Sequence, residues 1–190
     1  VITVGILLKL FEASLLPESL EHYISLPFSV LGLLLVLRSF GERMSPMLAW
    51  LLLLLNHFAV ALAISFNEHF GFMEVLLYMS GVLPAAALGW WVLSQLRKLE
   101  PTYFTLNGYY GHVYEHPRLA FVFLLACLGL MGFPISPTFI GEDLLFSHIH
   151  QNQLLLAFSE SLSYIMGGIA LVRMYARLFL GPHVKTYHET

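Results

Sequence analysis

The chain has 190 residues, of which 58% are hydrophobic and only 11% charged, with a net charge of −3. A water-soluble domain carries roughly 25% charged residues, so this composition excludes an ordinary soluble globule and requires lipid as the surround. The mean hydropathy of +0.76 agrees, the weak negative charge gives no reason to expect a nucleic-acid partner, and a single cysteine, Cys127, can build neither a disulfide framework nor a zinc set.

Apolar runs organise what remains. Residues 1–16 are apolar apart from Lys9 and Glu12, and a polar stretch with Glu18, Glu21 and His22 follows. Further runs cover residues 26–40, 46–66, 72–96, 119–149 and 154–180, the last stopped by Gly181-Pro182. The third, residues 46–66, is about 21 residues long and crosses hydrocarbon at 1.5 Å per residue. A tyrosine-rich linker, residues 97–118, has the look of an interfacial belt. The chain opens at Val1 inside an apolar run, with no basic leader, and we read it as part of a longer protein.

Basic residues set the topology. They mark the connections at Arg38 and Arg43, at Arg97, Lys98 and Arg118, and the last helix end at Arg173, Arg177 and Lys185, whereas the connection at Glu68 and His69 and residues 147–153 have none. Counting 119–149 as one crossing makes basic and non-basic connections alternate without exception; two crossings would put the final basic cluster on the wrong side. The expectation is an all-α, polytopic transmembrane bundle of about six crossings with a cytoplasmic C-terminus. The membrane domain covers 1–182, and a polar tail covers 183–190.

The fifth crossing carries Pro134 and Pro137. Two prolines three apart remove two backbone donors and clash with the preceding turn, so this helix must be discontinuous. Broken backbone at membrane depth survives only where protein or water satisfies it, and it often marks an ion site. Glu142 and Asp143 lie just beyond the break. A desolvated carboxyl can load and release a proton near neutral pH; the plainer alternative is an acid pair at the start of a helix.

Other ionisable residues carry similar alternatives. Lys9 either snorkels to an interface or pairs with Glu12 one turn on. His57, mid-run after Asn56, is a relay or a helix-to-helix hydrogen bond. His69 and Glu74 are relays or a hydrated helix start. Arg173 and Arg177, four apart, read as interfacial anchors, and His148 and His150 diverge too much on a helix for a metal site. No grouping suggests a metal, a redox cofactor or a stand-alone enzyme.

Phe133-Pro134-Ile135-Ser136-Pro137-Thr138-Phe139-Ile140-Gly141-Glu142, followed by Leu144-Leu145-Phe146, resembles a signature stretch of the antiporter-like subunits found in the complex I membrane arm, Mrp-type cation/proton antiporters and related hydrogenases. The lead-in from His116 to Ala120, the close from Arg173 to Pro182, and Gly5-Ile6-Leu7-Leu8-Lys9-Leu10 fit as well. The resemblance covers nearly the whole chain but only the second half of the family's length. The segment around Asn56-His57-Phe58 departs from the family's spacing.

The resemblance implies a bundle of inverted repeats in which buried ionisable groups carry protons, with Lys9 as central relay, His69 as a further relay and Glu142 as the terminal residue. Taken together, the relay candidates are Lys9, His57, His69, Glu74, Glu142 and Asp143, and Pro134 and Pro137 form the break. The implied function is proton translocation as a subunit of an NADH-quinone oxidoreductase-type complex in a bacterial inner membrane. Its implied partners are the bilayer, other membrane subunits and protons, with Na+ as a second ion. Two rivals are a cation/proton antiporter or inorganic-carbon uptake subunit, and a structural subunit with a degenerate relay.

Overall fold

The computed structural model describes residues 18–66 and 72–182, with side chains from 24 and from 73 onward in the two stretches. Lys9, Glu12, Glu68 and His69 lie outside the described residues. Among the described residues the chain is all helical: α1 (Glu18–Gly41), α2 (Pro46–Ser65), α3 (Phe72–Leu99), α4 (Pro117–Leu130), α5 (Pro137–Ser147) and α6 (Leu154–Phe179), with one 3-10 turn at Pro101–Tyr103. Helices α1, α2, α3 and α6 are each long and apolar enough to cross a membrane, and α4 is a shorter apolar helix. Leu34, Met73, Leu83, Phe121, Leu154, Phe158 and Val172 are among many exposed large apolar side chains, as expected of helices clothed in lipid.

Contacts along α3 show that α4 and α5 together make one crossing antiparallel to it. His116 at the start of α4 meets Glu100 just past the end of α3. Gly129 lies against Ala85, Thr138 against Gly81, and Gly141 against Tyr78. His148, just past α5, then reaches Glu74 in the first turn of α3, Nε2 to Oε2 at 3.5 Å. The single broken segment expected from the charge pattern is therefore the observed arrangement, beside four helices long and apolar enough to cross a membrane.

Among the described residues, the basic helix ends gather at one end of the bundle. The Leu106 amide donates to the Arg43 carbonyl at 2.7 Å. The Arg177 guanidinium donates to the Asn107 carbonyl at 3.0 Å and lies over the Tyr109 ring. Arg173 donates to the Phe40 carbonyl. Amides of Tyr110, Gly111, His112 and Val113 donate to the carbonyls of Arg177, Leu180, Leu178 and Phe179, so the linker supplies the donors that the end of α6 lacks. Gly111, at φ +64, is required here, because a Cβ would stand 2.5 Å from the Pro182 carbonyl oxygen.

The turn between α1 and α2 is held by Glu42, whose Oε1 accepts from the amides of Met44 and Ser45 at 3.0 and 3.2 Å while Arg38 donates to Oε2 at 2.8 Å. The Met44 amide is the main reason its carboxyl titrates below the usual carboxylate range; burial opposes the shift, and the Ser45 amide and Arg38 add to it. Above this turn the packing is dry and aromatic. The Trp50 ring lies 5.2 Å from Phe123, which lies 5.4 Å from Phe179, and the indole N–H donates to the Ala86 carbonyl at 3.0 Å. Only glycine fits at position 89, since a Cβ would sit 1.9 Å from the Trp50 ring.

Candidate functional site

The broken crossing determines where the site forms. Helix α4 ends at Leu130, and Gly132 turns the chain in the left-handed region at φ +67. Ile135 follows at φ +100, a strained conformation for a β-branched residue, and its side chain is 93% exposed. The Ser136 hydroxyl then accepts from the Phe139 amide at 3.2 Å, and Pro137 takes the first helical position, so α5 restarts with a proper cap.

The new helix lies backbone to backbone on α3. A Cβ on Gly81 would meet the Thr138 amide nitrogen at 2.4 Å, and one on Gly141 would meet the Tyr78 Cα at 2.6 Å. This approach buries Glu142, which is 6% exposed. Its carboxyl tucks under the left-handed turn: a Cβ on Gly132 would stand 2.0 Å from Glu142 Oε2. The Tyr164 hydroxyl, from α6, is its hydrogen-bonding neighbour, and that hydroxyl also donates to the Met131 carbonyl at 2.9 Å. Glu142 Oε2 itself has no hydrogen-bond partner among the described residues.

Glu142 faces a cavity of about 40 Å³ lined by α2, α3, α5, α6 and the end of α4. A water needs roughly 10–15 Å³ of such space, so two or three fit. From α2 the cavity receives Leu53, Asn56, His57, Val60 and Ile64, which fall on one helical face. His57 Nδ1 and the Tyr78 hydroxyl of α3 are hydrogen-bonded at 2.6 Å, and both line the cavity. From α6 come Glu160, Ser163 and Tyr164, again on one face, and Ser163 donates to Asn56 Oδ1 at 2.8 Å. The site is thus a mainly apolar cavity onto which carboxyl, imidazole, phenol and hydroxyl groups face.

Of the residues singled out in the sequence, His57 and Glu142 come together at this cavity. Pro134 lies in the turn between α4 and α5, and Pro137 opens α5. Asp143, next to Glu142, is exposed. Glu74 is at the far end of α3 beside His148. Lys9 and His69 lie outside the described residues. Sequence reasoning singled out neither Tyr78, Tyr164 nor Ser29 as site residues, and it gave Glu160 no role. Glu160 is 3% exposed, and the Ser29 hydroxyl of α1 is its hydrogen-bonding neighbour. Ser29 also hydrogen-bonds Ser159, one residue before it.

Outside the crossings, the tyrosine-rich linker holds two histidines against α3. His116 Nε2 is 3.1 Å from Glu100 Oε1, and His112 Nε2 donates to the Tyr103 carbonyl at 3.2 Å. Burial pushes the His112 imidazole below its usual titration range; the Tyr103 carbonyl and Glu100 pull the other way.

Comparison with known proteins gives the family context. No family model matches the chain. NADH-ubiquinone oxidoreductase chain 4 of Dictyostelium citrinum is 35% identical over 81 residues, 43% of this chain and 20% of that protein. The same chain of Dictyostelium discoideum is 35% identical over 72 residues, 38% of this chain and 13% of its own length. NADH-quinone oxidoreductase subunit M of Rickettsia prowazekii is 32% identical over 78 residues, 41% of this chain and 16% of that subunit. The matched stretch therefore spans a fifth or less of these relatives. An integral membrane bundle with this broken crossing has, as its homologues, the antiporter-like membrane subunits of complex I.

Proposed function

We propose that the chain is the C-terminal part of a proton-translocating, antiporter-like subunit of an NADH-quinone oxidoreductase-type complex. Its membrane domain is residues 1–182, and residues 183–190 are a polar tail. The reading places it in a bacterial inner membrane with the C-terminus cytoplasmic, on the side of the gathered basic helix ends.

One observation carries the reading. A carboxyl at a broken crossing, with one oxygen unpartnered among the described residues, opens on a cavity roomy enough for water. An orphan carboxyl oxygen is costly in a static core, and it is useful where a proton must come and go. His57, hydrogen-bonded to Tyr78, supplies a second group on the same cavity that can accept and release a proton. Protons pass along a file from Lys9, through His57 or His69, to Glu142, with waters between. The chain's own part is to hold those groups at fixed spacing and keep lipid out. Glu74, Asp143 and Na+ belong to this reading only as further members of the file and as a second ion.

Glu142→Gln keeps the size of the side chain and removes its titration. In proteoliposomes containing the full-length protein and its co-purifying subunits, this variant should assemble and lose proton transport. Unchanged transport refutes the proposal. Co-purifying subunits separate the rival complexes: redox subunits accompany the proposed one, and small antiporter chains or a large zinc protein accompany the others.

A further inference from the structure

Glu160 stands outside every motif noted in the sequence, yet it shares the cavity with Glu142. The two carboxyls arrive from different helices, α6 and α5, and Tyr78 on α3 lies within electrostatic reach of both. Each is nine-tenths or more buried, and each has one oxygen, Glu160 Oε1 and Glu142 Oε2, with no hydrogen-bond partner among the described residues.

The groups facing the cavity are Asn56 and His57 from α2, Tyr78 from α3, Glu142 from α5, and Glu160 and Tyr164 from α6, with Ser163 beside them. No lysine or arginine among the described residues lines it. An ionised carboxylate buried at a small cavity with no lysine or arginine beside it is unfavourable, so the arrangement suits two carboxyls that are each readily protonated. The hydrogen-bonding neighbour of Glu160 is the neutral Ser29 hydroxyl, which suits a carboxyl in either protonation state.

We infer that Glu160 is a second proton-holding residue, exchanging a proton with Glu142 through water in the cavity between them. The inference rests on the translocation reading and extends the file from the broken crossing toward α1. The O–H bond of protonated Glu142 breaks as a cavity water accepts the proton. An O–H bond forms on the Glu160 carboxylate as that water, or its neighbour, gives one up. One proton moves, and nothing is oxidised or reduced.

The test uses the full-length protein with its co-purifying subunits in vesicles. An imposed membrane potential drives proton uptake, which a pH-sensitive dye reads. Glu160→Gln should lower the flux about tenfold, with assembly and melting unchanged, and Glu160→Asp should recover most of it. Infrared difference spectra, taken as protons are loaded, should lose one carboxyl C=O band in Glu160→Gln and a different one in Glu142→Gln. A purely structural Glu160 would leave those bands alone.

Wild-type flux in Glu160→Gln together with lost flux in Glu142→Gln overturns this inference and leaves the translocation reading standing. Wild-type flux in both overturns the two together. Should Glu160→Gln fail to assemble, Ser29→Ala keeps both carboxyls and removes only the hydroxyl beside Glu160. It should slow the flux severalfold, and an unchanged flux overturns the inference.

Discussion

Around Trp50, toward the basic end of the bundle, the interior is filled by stacked rings and its one buried indole N–H is spent on the Ala86 carbonyl. Around His57, two turns further along the same helix α2, the interior holds a cavity and two carboxyls, those of Glu142 and Glu160, each with one oxygen unpartnered among the described residues. The two regions share α2, α3 and α6, with α4 packed against the first and α5 against the second. The difference lies in which side chains face inward: rings that fill the space in one region, titratable groups around a void in the other.

Trp50→Ala would strike the dry region hardest. Losing a fully buried indole and its hydrogen bond should cost about 3 kcal/mol or more, read as an earlier thermal melt in detergent. The molecules that remain folded should transport protons at the wild-type rate. A variant that melted normally and transported poorly would erase the division between the two regions.

Gly132→Ala tests the boundary from the other side. Its φ of +67 makes any side chain there cost about 1–2 kcal/mol, and its Cβ would displace the Glu142 carboxyl. Transport should fall as far as in Glu142→Gln, while the melt moves less than for Trp50→Ala. Equal melting losses in the two variants would mean the turn is merely another packed site.

The smallest effect belongs to neither interior. Glu42→Gln removes a charge-assisted cap from the turn between α1 and α2 and should cost about 1 kcal/mol at neutral pH. The folded carboxyl titrates below its unfolded value, so its stabilisation is present above the unfolded value and fades as pH falls through the folded one. Wild type and Glu42→Gln should therefore converge in acid, when melting is followed against pH, and both should keep wild-type transport at neutral pH.

The outline of this molecule was legible because membrane crossings leave long apolar runs and because positive charge marks one side. Two prolines three apart announced the break, and Glu142 drew attention by standing just past them. Which face of each helix turns inward was much harder to read. In lipid, both the outward and the inward face are apolar, so the periodicity that betrays a soluble helix is weak. Ser29 and Ser159 are 130 residues apart in the chain and meet only through tertiary packing. The one available hint for Glu160 was the spacing of Glu160, Ser163, Tyr164 and Gly167 along α6, which puts polar and small residues on a single stripe. His57 was visible in sequence, whereas its partner Tyr78 was not, because a tyrosine within an apolar run announces nothing.

The seam between α3 and α5 has a mechanical meaning. At Gly81 and Gly141 there is no side chain between the two backbones to act as a cushion. Tyr78, on that seam, also grips His57 by its hydroxyl. A small tilt of α3 is therefore not absorbed by rotamer changes; it is delivered like the throw of a rigid lever to the imidazole on one side and to the acid next to Gly141 on the other. A push on α3 would move both groups in a single stroke.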